Sequence, residues 1–191
     1  MARERKFSNE ELFQLVKKNL LQHGYEGFHF GLLAEQLEIS RGALYKYYEN
    51  KDELITDFML FEMKSFIRDL AQIENQGDFE AQFDFLMELI FEKSEVHQLI
   101  TVVKHMGSSS NEKAKENKEQ LEKLPLEMYR YLQNFITYGK KEGKLKEHIP
   151  DSVMLGFIFQ SIAIPNHFGI PRPVWVNSIK EIISKGMFAY L

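Results

Sequence analysis

Residues Gly24 to Ile55 read GYEGFHFGLLAEQLEISRGALYKYYENKDELI. Two short segments with apolar faces lie on either side of a break at Glu38–Ile39–Ser40. The first places Leu33 and Leu37 on one face, and the second places Leu44 and Tyr48 at i, i+4. Ser40 is the expected N-cap of the second segment. Asn50 caps the next helix, with Glu53 three positions on. Two short helices across a tight turn, with a third braced behind them, make a helix-turn-helix.

In such a motif the second helix meets the major groove. Arg41 opens that helix and can contact a guanine or clamp a phosphate. Gly42 and Ala43 keep the end thin, so backbone can approach DNA. Tyr45 and Tyr47 offer hydroxyls to phosphates or ring faces to thymine methyls. Lys46 and Lys51 suit phosphates, and Lys51 begins a helix whose free N–H groups favour an anion. Leu44 and Tyr48 are expected to pack inward. Arg3, Arg5 and Lys6 form a basic arm that either reaches DNA or stays solvated.

Working outward, Ser8 and Glu11 form a capping box ahead of Leu12, Phe13, Val16 and Leu20, which predicts a helix closed at Gly24. Beyond Lys51 the 3.6-residue period continues. It predicts a long helix to about Ile73, then helices over about 78–92, 95–105, 121–136, 151–164 and 174–190. GSSSNEKAKENKEQ, Gly107 to Gln120, reads as a polar loop or a frayed helix start. Pro125 either begins or kinks the helix that follows. No β-alternation and no internal repeat stand out. The fold expected is all-α: a three-helix head over 1–50 and a larger helical body over 51–191, about nine helices in all.

The segment Gly24–Ile55 resembles the DNA-binding head of the TetR family of transcriptional regulators. Gly24–Tyr25, Leu33–Ala34, Ile39–Ser40, Gly42, Leu44–Tyr45, Tyr48 and Lys51–Leu54 carry the likeness. Phe30 departs from it, standing where a small or β-branched residue is usual, and joins the expected DNA-contacting set. Glu38 replaces a glycine in the turn. Tyr47 falls at a common contact position. The resemblance implies a body that binds an effector and dimerises, hence a one-component regulator, a repressor released from a palindromic operator by a small hydrophobic ligand.

The body's residues are compatible with that. Phe58, Phe61, Phe83, Met87, Met106, Phe135, Tyr138 and Phe159 are candidates to line an apolar pocket, though each singly suits a core. Met154, Phe157, Ile158 and Ile162, with Ile179, Ile183 and Met187, give the last two helices apolar faces too wide for one internal contact. Gly156 and Gly186 allow close approach. A four-helix dimer interface is expected there.

Bulk chemistry sets limits. The 191 residues carry a net charge of −4, while residues 1–51, with eight basic and seven acidic side chains, carry +1. Net acidity disfavours non-specific coating of nucleic acid but not a local reading edge. The chain has no cysteine, which removes disulfides and thiolate metal sites. His97, His105, His148 and His167 lack metal-ligand spacing, so no metal and no cofactor are expected. There is no phosphate loop, nucleophile elbow or carboxylate cluster, so no catalytic residue is expected. No signal sequence or membrane-length apolar run is read, and a cytoplasmic protein is expected. The reading from another class is a helical protein–protein interaction module whose helix-turn-helix is vestigial.

Overall fold

The computed structural model describes residues 7–106 and 110–189. The Arg3–Arg5–Lys6 arm lies outside them, as does the side chain of His105. The described residues form helices α1 (Asn9–Gly27), α2 (Phe30–Gln36), α3 (Arg41–Leu44), α4 (Lys51–Leu70), α5 (Phe79–Glu92), α6 (Ser94–His105), α7 (Glu112–Lys141), α8 (Asp151–Gln160) and α9 (Arg172–Met187). Single 3-10 turns follow α4 at Ile73–Asn75 and α8 at Ser161–Ala163. The pairing of Leu145 with Phe188 is an isolated bridge, and the fold is all-α.

The punctuation has visible causes. Ser8 caps α1 by accepting from Glu11 N at 3.0 Å, and Asp78 caps α5 by accepting from Ala81 N at 3.0 Å. Gly24 interrupts α1 with φ 65°, a left-handed backbone that glycine adopts without a Cβ clash. In the α2–α3 turn that conformation falls on Glu38, at φ 52°, where a side chain makes it costlier. Ser40 is not the side-chain cap that the sequence suggests: its extended backbone precedes α3, but its hydroxyl makes no cap bond. The polar stretch from Glu112 is not a loop either. It is the first part of a 30-residue helix that continues through Pro125.

The chain packs as two compact units: Met1–Lys64 with Glu95–Leu124, and Ser65–Ser94 with Pro125–Leu191. The boundary at residue 50 expected from the sequence is one of roles and falls inside the first unit.

The first unit closes on Leu12, Phe13, Leu33, Leu44, Leu54 and Phe58, all at most 3% exposed. Asn19 is fully buried and ties α1 to α2, donating to Leu15 O at 2.7 Å and to Gln36 Oε1 at 2.8 Å. Buried amides of this kind must be satisfied or they cost stability.

The second unit is built on aromatic packing. Phe79 stacks on Phe135 with ring centroids 4.9 Å apart, and Phe188 meets Phe79 edge-on at 5.3 Å. Gly139 makes the close approach of α7 possible, because a Cβ there would collide with the Phe79 ring and Leu145. Lys180 pairs with Asp84 at 2.6 Å and Arg172 donates to Phe91 O at 2.8 Å, fastening α9 to α5.

Candidate nucleic-acid interface

The segment Arg41–Tyr48 divides by helical period into two faces. Leu44 is fully buried and Tyr48 is 7% exposed, and the Tyr48 hydroxyl donates to Asp57 Oδ2 at 2.9 Å. That bond fixes the end of the segment on α4. Arg41, Gly42, Tyr45, Lys46 and Tyr47 are exposed, and Ala43 is half-buried. Tyr45 and Tyr47 keep 58% and 41% of their surface.

The exposed rings are braced from below. Phe30 packs on Tyr45 with centroids 4.9 Å apart, and Phe7 meets Tyr47 edge-on at 5.6 Å. Phe30 itself is 5% exposed, so it is a core residue that supports the interface. The sequence expectation of a DNA-facing Phe30 is corrected: its ring is buried in the apolar cluster of the first unit, beneath Tyr45. Gly31 has a role the sequence did not suggest. A Cβ at that position would stand 2.9 Å from Arg41 Nη2, so glycine leaves room for the guanidinium beside α2. Gly42 meets nothing nearer than Ser40 Oγ at 4.0 Å, leaving the backbone at the start of α3 open.

Lys51 is held more firmly than its position in the sequence implies. Its Nζ donates to Tyr25 O at 2.9 Å and sits 4.0 Å from the centre of the Tyr25 ring. An ammonium has three N–H donors, so the backbone bond leaves two for a phosphate. The Tyr25 hydroxyl donates to Asp52 Oδ1 at 2.6 Å. Burial, and then the Asp52 carboxylate, raise the phenol to about 12. It therefore remains a donor across physiological pH, and Tyr25 clamps the end of α1 to the start of α4. Asn50 completes that end, its Oδ1 accepting from Glu53 N at 3.0 Å, while Glu53 Oε2 accepts from Glu49 N at 2.8 Å.

Residues 18–57 match the family profile described as "Bacterial regulatory proteins, tetR family". The head is similar to that of the TetR family. Solved structures of transcriptional regulators align over nearly the whole chain. The ketosteroid transcriptional regulator KstR2 of Mycobacterium tuberculosis has a TM-score of 0.71 at 15% identity, covering 100% of this chain and 98% of its own. The regulator PfmR from Thermus thermophilus has a TM-score of 0.70 at 17% identity, covering 91% and 97%. The regulator FadR from Bacillus subtilis, in complex with stearoyl-CoA, has a TM-score of 0.67 at 17% identity, covering 94% and 99%. At these identities the likeness is one of fold. No curated protein matches the chain.

Beyond the head, the eight candidate ligand residues do not gather in one cluster. Phe58 and Met106 are buried in the first unit, and Phe61, 36% exposed, lies against Phe13 there. Phe83, Met87 and Phe135 are buried in the second unit, with Tyr138 and Phe159 packed against that core. Five of the eight are thus core packing residues.

The expected interface residues need a larger correction. Met154, Ile158, Ile179, Ile183 and Met187 are at most 6% exposed and belong to the chain's own core, and Ile162 packs against it. Phe157, at 67% exposure, points outward. So do Val153, Val174 and Ile182, at 45%, 55% and 71%. A Cβ at Gly156 or Gly186 would meet nothing within 4 Å, so the same faces are also thin. Among the described residues no group of His, Asp and Glu could hold a metal, and no helix is long and apolar enough to cross a membrane.

Proposed function

We propose that this protein is a homodimeric one-component transcriptional regulator of the cytoplasm, a repressor that leaves a palindromic operator when a small hydrophobic ligand binds its body, residues 51–191. The observation that carries the proposal is the outward set Arg41, Tyr45, Lys46 and Tyr47, braced from behind inside a segment that matches the TetR family. Cationic and aromatic groups exposed on a fixed edge suit phosphates and base edges. Two heads related by a two-fold axis read two half-sites one helical turn apart.

The dimer is assigned to the exposed face Val153, Phe157, Val174 and Ile182 of α8 and α9. The hydrophobic character of the effector rests on the aromatic body and on relatives: one regulator of this fold is named for ketosteroids and another is in complex with stearoyl-CoA. The signal path is α4, whose first turn carries Lys51 and Asp52 and whose later turns belong to the body. A tilt of α4 changes the spacing of the two heads, so ligand and operator affinities are linked reciprocally.

The test is binding to a duplex selected by the wild-type protein from a random library. Arg41→Ala and Tyr45→Ala are each expected to weaken binding by about tenfold or more, the scale of one good base contact or stacked ring. Unchanged binding in both would remove this reading of the head.

A further inference from the structure

Asn111 stands at the start of α7, in the stretch that reads as a polar loop or a frayed helix start in the sequence. It is only 6% exposed. Its Oδ1 accepts from Ala114 N at 2.8 Å, which makes it the N-cap of α7. With the oxygen so engaged, the amide nitrogen faces two carboxylates. Nδ2 donates to Glu49 Oε2 at 2.5 Å and lies 3.5 Å from Glu53 Oε2. Glu49 directly follows Tyr48, the residue that anchors the reading segment. Glu53 Oε2 also accepts the Glu49 backbone N–H at 2.8 Å. One amide thus joins the cap of α7 to the segment that carries Tyr45, Lys46 and Tyr47.

Further polar contacts continue the join. Asn117, 2% exposed, donates to Thr56 Oγ1 at 3.2 Å. Lys64 donates to Gln120 Oε1 at 3.4 Å. Residues 111, 117 and 120 of α7 and its cap meet residues 49–53, 56 and 64 in the same order. Asn111 and Asn117 are the buried members, and a buried amide that loses its partner costs free energy, so these two contacts favour one arrangement.

We propose that Asn111 is a positioning residue for DNA reading. It fixes Glu49, and so the end of the reading segment, to α7. Because α7 continues past Leu124 into the second unit, it gives the head a link to the body besides α4. A movement of α7 along its axis pulls on Glu49 and shifts the reading segment. This inference rests on the head being a DNA reader, and the experiment separates the two.

Asn111→Asp keeps the helix cap, since aspartate caps as well as asparagine, but replaces the donor with a third carboxylate. Operator binding is measured on the duplex selected by the wild-type protein, with thermal midpoints recorded for each variant. Asn111→Asp is expected to bind about tenfold more weakly, while Glu49→Gln, which retains an acceptor, stays within about threefold of wild type. Combining Glu49→Gln with Asn111→Asp removes the nearer repulsion, leaving only the more distant Glu53 carboxylate, and is expected to recover most of the lost binding. Wild-type binding by Asn111→Asp overturns the proposal. So does a loss that Glu49→Gln fails to relieve and that follows a fall in thermal midpoint. If the wild-type protein selects no duplex at all, the reading of the head fails as well.

Discussion

Leu44→Ala is expected to abolish operator binding while leaving the second unit folded. Leu44 is fully buried, and α3 is only four residues long. So short a helix cannot hold itself together in water and depends on its buried side chain. Removing a buried leucine to alanine costs about 2–5 kcal/mol, a large share of a domain's total of about 5–15 kcal/mol. The loss is concentrated where the exposed face needs support, because Leu44 and Tyr48 together fix the direction of Tyr45 and Tyr47. The effect should exceed that of deleting any single contact residue. The check pairs a binding titration with amide exchange over Arg41–Tyr48. Trp175, half-buried in the second unit, reports by its fluorescence that this unit is intact. Near-normal binding by Leu44→Ala would mean that α3 is not the reading element.

The second large effect is at the other end of the chain. The double variant Phe157→Asp with Ile182→Asp is expected to convert a dimer into monomers. Both side chains are about two-thirds or more exposed, at 67% and 71%, so the protomer's own packing is spared. A carboxylate buried without a partner at the centre of an interface is costly. Once the heads are separated, the second half-site is no longer bound at high effective concentration. Operator affinity should then fall by about a hundredfold or more, within the usual gain from linking two sites. Sedimentation velocity reads the association state and a gel shift reads the affinity. A variant that remains dimeric places the interface elsewhere.

The head was legible because its signals are local. Ser8, Gly24, Asn50 and the i, i+4 pair Leu44–Tyr48 act over a single turn, so a sequence window contains the whole cause. The inward and outward split of the three tyrosines follows from the same period. Where the partner lies far along the chain, the sequence was silent. Phe30 is buried by its packing against Tyr45 and the head core, and Lys51 is held by Tyr25, 26 positions away. Asn111 answers Glu49 across 62 positions.

Composition left two places undecided. The polar run from Glu112 is a helix because Asn111, Ala114 and Asn117, spaced three apart, are buried within the first unit while the residues between them face water. In α8 and α9 both faces are apolar. The period showed that two stripes exist, but not that Met154 and Ile158 turn to the core while Val153 and Phe157 turn out.

The most direct test of the central claim is the salt dependence of binding to the selected duplex. A reader that neutralises phosphates with fixed cations releases counterions, and log K falls linearly with log salt by about 0.9 per phosphate contacted. The account predicts a steep slope for the wild-type dimer, reduced by about two units in Lys46→Ala, one phosphate contact being lost from each head. A weak binding that ignores salt, with the same slope in Lys46→Ala, would contradict it and favour a helical interaction module whose helix-turn-helix no longer reads DNA.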